Sequence, residues 1–267
     1  MQNNETMKIL DLNVKSVEQA SQRCVLIKLS QQEPLPADIC PGQFLQVRID
    51  DVPQVLLRRP ISICKVDRQK NELWLLVACV GNGTRRLAHL RPGERLNCVL
   101  PLGNRFVWSP LDKHVLLVGG GVGVAPLLYL GSSMAESKGP DVTFLLGART
   151  QADLLLLSEF ERYGRVLVTT EDGTMGERGF VTQHSVLQTE HFDRILTCGP
   201  TPMMKAVARY AAQTGTDCQA SLENLMACGL GACLCCVEKV RDLATGEVHN
   251  LCVCKDGPVF DTRQLLW

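Results

Sequence analysis

The sequence predicts a multidomain β plus α/β protein: an N-terminal antiparallel β-barrel or sandwich, a doubly wound parallel-sheet domain, and a small C-terminal cysteine segment. Three observations carry this. Short apolar runs separated by turn signals fill the chain from Met7 to Val107. Strand–helix alternation sets in near Pro110, and from Glu223 onward cysteines crowd together at characteristic spacings. The corresponding boundaries are 1–109, 110–221 and 222–267. A chain of 267 residues, 45% of them hydrophobic, is long enough to bury two or three separate cores.

In the first segment the apolar runs are Cys24–Leu29, Gln43–Arg48 after Pro41-Gly42, Arg59–Ile63, Leu73–Val80, and Arg95–Val99 after Pro92-Gly93. Pro34, Pro36, Pro53 and Pro92 fall between them, where turns belong. Many short strands at this spacing make a barrel or sandwich. In the second segment the expected strands are His114–Val118, Val142–Leu146, Val166–Thr169, Ile195–Cys198 and Cys218–Ser221. The helical stretches expected with them are Ala125–Glu136, Gln151–Tyr163, Thr182–Gln188 and Pro202–Thr214. Such alternation implies a parallel sheet covered on both faces.

Charge excludes some functions. Lys plus Arg equals Asp plus Glu at 28 each, so no net basic field points to nucleic acid or an anionic membrane. No apolar run reaches the roughly 20 residues that span a bilayer. The start, Met1-Gln2-Asn3-Asn4-Glu5, lacks the apolar stretch of a signal peptide, and a cytoplasmic location is expected. Thirteen cysteines then imply a reducing compartment, metal binding and buried thiols rather than disulfides. Cys24, Cys40, Cys64, Cys79, Cys98 and Cys218 have no ligand spacing and read as packing residues.

The sharpest chemical signal is Cys228-x4-Cys233-x2-Cys236, with Cys254 eighteen residues further on. This is the ligand spacing of a plant-type [2Fe–2S] cluster. Three thiolates must converge from one tight loop, and Gly229, Gly231 and Ala232 permit the close backbone approach that this requires. Structural zinc draws its thiolates in pairs, whereas here three share a loop and the fourth stands alone. Cys235 and Cys252 are left over. Cys254 is preferred to Cys252 because Lys255-Asp256-Gly257-Pro258 after it reads as a turn ending a hairpin.

Three further motifs suit nucleotides. Gly119-Gly120-Gly121-Val122-Gly123 lies between a strand and a helix, where backbone N–H groups favour a phosphate, although a third motif glycine is missing at Val124 or Pro126. The second strand ends in Gly147-Ala148-Arg149 with no ribose-binding acid, so NAD and NADP are not separated. Cys198-Gly199-Pro200 leaves room for a planar ring at the end of a later strand. In the β-rich segment, Arg59-Pro60-Ile61-Ser62 offers a guanidinium for a diphosphate and a hydroxyl for a flavin ring. Val80-Gly81-Asn82-Gly83-Thr84 reads as a second Gly-rich loop with free N–H groups.

In this order the motifs resemble the ferredoxin–NADP⁺ reductase superfamily of flavoproteins: R-x-x-S in a β-barrel, then G-G-G-x-G-x-A-P, then C-G-P. With the C-terminal C-x4-C-x2-C and V-C-x-D-G-P-V-F, the chain closely resembles the electron-transfer subunits of class 1B dihydroorotate dehydrogenase, over essentially its whole length. The resemblance implies FAD in the barrel, at Arg59, Pro60, Ile61 and Ser62, with Val77, Ala78 and Cys79 and the pair Gly83 and Thr84 as second and third stretches. It implies NAD at Gly119, Gly120, Gly121 and Gly123 and at Cys198, Gly199 and Pro200, and a cluster on Cys228, Cys233, Cys236 and Cys254.

It further implies an FMN-containing catalytic subunit as partner, in a two-plus-two heterotetramer that serves pyrimidine (UMP) biosynthesis. NAD⁺ accepts a hydride and a [2Fe–2S] cluster carries single electrons, so FAD is expected between them. No catalytic base for dihydroorotate is expected in this chain. Two alternatives remain at this point. One is the flavin and iron–sulfur subunit of an NAD(P)H:ferredoxin oxidoreductase or sulfhydrogenase, and the other a colourless zinc-stabilised binding module.

Overall fold

The computed structural model describes residues 7–267, so the polar segment Met1–Glu5 lies outside the described residues. Six antiparallel strands close a barrel: β1 (Lys8–Ser21), β2 (Cys24–Ser30), β3 (Phe44–Val47), β4 (Arg59–Asp67), β5 (Glu72–Ala78) and, after the helix α1 (Asn82–Ala88), β6 (Arg95–Leu102). The spatial order is β1-β2-β5-β4-β3-β6, with β6 pairing back onto β1. Closure removes both sheet edges and buries the inward set, including Leu12, Ile27, Leu45, Val47, Ile63 and Leu75. The N-terminal unit is therefore a barrel and not a sandwich.

The second unit alternates as expected: β7 (His114–Gly120), α2 (Ala125–Glu136), β8 (Asp141–Ala148), α3 (Leu157–Phe160), β9 (Arg165–Thr170), β10 (Glu177–Arg178), α4 (Val186–Thr189), β11 (Arg194–Cys198), α5 (Thr201–Thr214) and β12 (Asp217–Ser221). Val115 and Leu117 of β7 face the core under α2, while Leu116 and Val118 face the core under α5. A strand buried on both faces must be apolar throughout, which is why this stretch reads as a continuous hydrophobic run.

The third segment contributes a hairpin, β13 (Val237–Arg241) with β14 (Val248–Cys252), and a short strand β15 (Val259–Asp261). β15 adds antiparallel to β12, so the second sheet runs β10-β9-β8-β7-β11-β12-β15. The cysteine segment is thereby stitched to the parallel sheet by its own last strand.

Several local expectations give way to tertiary structure. The Val80–Thr84 loop is the start of α1, because the Thr84 hydroxyl accepts from the Gly81 N–H at 3.1 Å and the Arg85 N–H bonds the Gly81 carbonyl. The helix expected over Gln151–Tyr163 is a 3₁₀ turn at Gln151–Asp153 and the single turn α3, broken where Leu156 takes φ 56°. The stretch Thr182–Gln188 is broken at His184, whose backbone is extended and whose Nδ1 accepts from the Val186 N–H. β1 has no counterpart among the apolar runs, since register shifts at Val14/Ser16 and Gln19/Ser21 and many exposed polar residues blur its alternation.

Barrel and sheet share one continuous core. Leu26, Trp74 and Leu76 of the barrel wall pack in the same cluster as Leu127 and Leu128 of α2. Tyr129 reaches across and donates its hydroxyl to the Ile39 carbonyl at 2.8 Å.

Candidate cofactor sites

β7 and β11 are adjacent and parallel, with Gly119 opposite Cys198. The chain leaves β7 toward β8 on one side, and β11 lies on the other, so a crevice opens beyond their carboxyl ends. Pairing brings the two glycine motifs into backbone contact. A Cβ at Gly123 would lie 2.5 Å from the Gly199 Cα, so only glycine allows this approach. Beyond them is a cavity of about 540 Å³, lined by Gly120, Gly121, Gly147, Pro200 and Met203 and, from the barrel, by Cys24, Ala78 and Val80. Burial pushes the Cys198 thiol up to about 12, leaving it neutral and apolar beneath the site.

In the barrel, β3 and β4 pair so that Phe44 is opposite Ser62 and Gln46 opposite Pro60. The Arg59 guanidinium donates to the Leu57 carbonyl at 2.8 Å, and Gly83 of α1 packs against it, where a Cβ would come within 3.2 Å of Nε. Arg59, Gly83 and Thr84 are thus gathered at one edge of the barrel. The preceding arginine is committed elsewhere: Arg58 bonds the Asn97 side chain and carbonyl at 2.5 and 3.1 Å. Val77 is only 1% exposed and belongs to the barrel interior, so among the Val77–Cys79 stretch it is Ala78 that reaches the cavity.

The cysteine loop is organised by backbone donors. The Leu230 and Cys233 N–H groups point at Cys228 Sγ at 3.3 and 3.4 Å. The Gly231 N–H points at Cys254 Sγ at 3.1 Å, and the Cys254 N–H at Cys236 Sγ at 3.4 Å. The Leu230 N–H in particular brings the Cys228 thiol down to about 6, so the sulfur is largely thiolate at neutral pH. Cys254 lies inside the turn after β14, where the Lys255 and Asp256 N–H groups bond the Cys252 carbonyl.

Cys252 makes a different contact, its Sγ lying 4.0 Å from the Gly231 carbonyl oxygen. Cys233 and Cys235 are exposed, whereas Cys236, Cys252 and Cys254 are buried. Among the described residues no group of three or more His, Cys, Asp or Glu side chains is drawn together as for a single metal ion. Backbone amides aimed at sulfur suit thiolates that carry charge.

Comparison with known proteins agrees with this geometry. Residues 223–266 match the iron-sulfur cluster binding domain of dihydroorotate dehydrogenase B, and residues 117–209 the oxidoreductase NAD-binding domain. The dihydroorotate dehydrogenase B (NAD(+)) electron transfer subunit of Shouchella clausii is 43% identical over 233 residues, which is 85% of this chain and 86% of that protein. That of Listeria monocytogenes is 38% identical over 94% of this chain and 97% of its own. The chain belongs to the family of dihydroorotate dehydrogenase B electron transfer subunits.

Among solved structures, that of the NADH-dependent reduced ferredoxin-NADP oxidoreductase superposes with a TM-score of 0.83 at 28% identity, over 96% of this chain and 90% of that one. The chain also matches the ferredoxin reductase in carbazole 1,9a-dioxygenase, at TM-score 0.66 and 20% identity over 79% of this chain and 67% of the other, which is a likeness of fold.

Within this family frame, one residue of the crevice escapes sequence reasoning. Glu171 lines the cavity just past the end of β9, with Arg149 at the end of the neighbouring β8. The sequence pattern points to an acid only after the second strand of the sheet domain, where Gly147-Ala148-Arg149 has none. The signal that marks Glu171 is its place one residue beyond an apolar strand, a position whose meaning depends on which strands are neighbours.

Proposed function

We propose that this chain is the electron-transfer subunit of an NAD-dependent dihydroorotate dehydrogenase, taking electrons from an FMN-containing catalytic subunit and delivering them to NAD⁺ in pyrimidine biosynthesis. The observation that carries it is the match of residues 223–266 to the iron–sulfur domain of that enzyme, on a chain whose barrel and crevice suit a flavin and a dinucleotide. When bound, FAD and a [2Fe–2S] cluster supply the conversion between single electrons and a hydride that neither NAD⁺ nor the cluster manages alone.

Each role falls to named residues. Arg59, with Gly83 and Thr84 beside it, holds the flavin diphosphate, and Pro60, Ile61 and Ser62 continue along β4 under the ring. Ala78, between Val77 and Cys79, forms the wall between flavin and nucleotide. Gly119, Gly120, Gly121 and Gly123 cradle the pyrophosphate of NAD, while Cys198, Gly199 and Pro200 leave the gap that its nicotinamide enters. Cys228, Cys233, Cys236 and Cys254 hold the cluster, and the amides of Leu230, Gly231 and Cys233 stabilise charge on their sulfurs. Glu171 accepts from the adenosine ribose and repels a 2′-phosphate. Glu171→Arg should therefore raise NADP⁺ use relative to NAD⁺ by about tenfold or more in kcat/KM, and an unchanged ratio would remove Glu171 from the site.

The catalytic partner docks over the cysteine loop. Leu225, Leu230 and Leu234 stand 86%, 48% and 64% exposed on the segment that carries exposed Cys233, and such apolar exposure supports a protein interface there. The assembly is a two-plus-two heterotetramer in the cytoplasm. Thirteen free thiols support a reducing compartment, and no described helix is long and apolar enough to cross a membrane.

The test is NADH formation from dihydroorotate and NAD⁺ by the anoxically purified native complex, repeated with Cys233→Ser. Rapid formation that the substitution abolishes is expected. A coloured flavin and iron–sulfur protein that ignores dihydroorotate would instead move the function to an NAD(P)H:ferredoxin oxidoreductase or sulfhydrogenase.

A further inference from the structure

Gln46 is only 1% exposed, yet neither Nε2 nor Oε1 of its side chain has a hydrogen-bond partner. An orphaned carboxamide of this kind is unfavourable unless some group meets it. β3 alternates strictly. Leu45 and Val47 fill the barrel interior, while Phe44 points outward into the cluster of side chains that includes Cys236, Cys252 and Cys254. Gln46 therefore projects toward the cysteine segment as well. It lies against Gly229, the residue after Cys228, where a Cβ would collide with the Gln46 amide nitrogen; Gly229 itself takes φ +69°. On its other side Gln46 pairs with Pro60 of the Arg59–Ser62 stretch. One buried amide thus bridges the wall of the barrel and the loop of thiolates.

We propose that Gln46 is a positioning residue for the iron–sulfur cluster: its Nε2–H donates to the sulfur shell held by the Cys228 loop and favours the reduced cluster. The inference rests on the assignment of the four cysteines as cluster ligands. The physical basis is charge. Reduction adds an electron whose density falls largely on sulfur, so a fixed donor stabilises the reduced form more than the oxidised one. The Leu230, Gly231 and Cys233 amides already serve Cys228 and Cys254 in this way, and Gln46 adds a side-chain donor from another domain.

The experiment is an anoxic redox titration of the complete complex followed by electron paramagnetic resonance, for wild type, Gln46→Met and Gln46→Leu, with iron, acid-labile sulfide and flavin quantified. Both substitutions remove the donor without adding a titratable group, and methionine also keeps the volume. At a fixed potential near the wild-type midpoint, the ratio of reduced to oxidised cluster should fall about tenfold in Gln46→Met, as for one charge-assisted hydrogen bond. It should fall comparably in Gln46→Leu, with flavin titrations unmoved. An unchanged ratio in both variants, or a shift confined to the flavins, overturns the proposal. If Gln46→Met alone loses its cluster, the ratio in Gln46→Leu decides by the same criterion. Wild type without iron and sulfide would instead sink the ligand assignment.

Discussion

Sulfur atoms in this protein differ by what surrounds them. Cys64 and Cys98 have thiols pushed up to about 12 by burial and stay protonated, whereas Cys228, with two amides aimed at it, lies near 6. As members of the proposed ligand set whose sulfurs receive backbone N–H groups, Cys228→Ser and Cys254→Ser should lose most of the acid-labile sulfide and visible absorbance, while Cys235→Ser and Cys252→Ser retain them. Iron and sulfide assays of the four purified variants check this, and loss in Cys252→Ser with retention in Cys254→Ser would reassign the fourth ligand. Glu72 contributes to how stability changes in acid. Burial raises the Glu72 carboxyl, but hydrogen bonds from Lys15 and Trp74 outweigh it and hold the group below 4.5. A depressed folded value contributes stability above the unfolded one and loses it as pH falls through the folded one. Glu72→Gln should cost about 1–2 kcal/mol at pH 7. That deficit should shrink on acidification below about pH 4.5, as read by urea unfolding at several pH values.

Elements matter here through their neighbours. The β7–β11 pairing converts two separate glycine motifs into one crevice, with Gly123 pressed on the Gly199 backbone. Gly123→Ala must push these strand ends apart, and we expect KM for NAD⁺ to rise by about tenfold or more. Flavin and iron content should stay near wild type, and steady-state kinetics with absorbance spectra test both halves of that expectation. How much of such an arrangement was legible varies by element. α2 and α5 fall where their apolar spacing places them, because each is several turns long and buries one stripe against the sheet. α3, α4 and β1 depart from those expectations because single turns and bulged strands owe their form to what they pack on, such as the separate cores that hold Phe160 and Val186.

At the scale of the molecule, the cysteine segment is held by the other two units. Its core joins Phe44, Val99 and Leu102 of the barrel to Met204 and Ala220 of the sheet domain, around Cys236, Cys252 and Cys254. Phe260 of β15 sits in that core at 5% exposure, opposite Ala220. Phe260→Ala should lower stability by about 3–5 kcal/mol and loosen the loop above it. Thermal unfolding measures the first effect, and faster release of iron to a chelator the second. A variant with lowered stability but wild-type iron retention would separate the sheet from the loop.

What the sequence by itself determined is the chemistry that short spacing encodes. The C-x4-C-x2-C loop, the glycine run after a strand and the R-x-x-S stretch each mark a candidate site within a few residues, since several of its groups come from one short run of backbone. Tertiary structure alone decided what lies between those sites. That Glu171 lines the crevice, that Val77 faces the barrel interior and Ala78 the cavity, and that Gln46 presses on Gly229 all depend on which strands are neighbours. Strand order is set by long-range pairing and shared cores, and those leave no local trace along the chain.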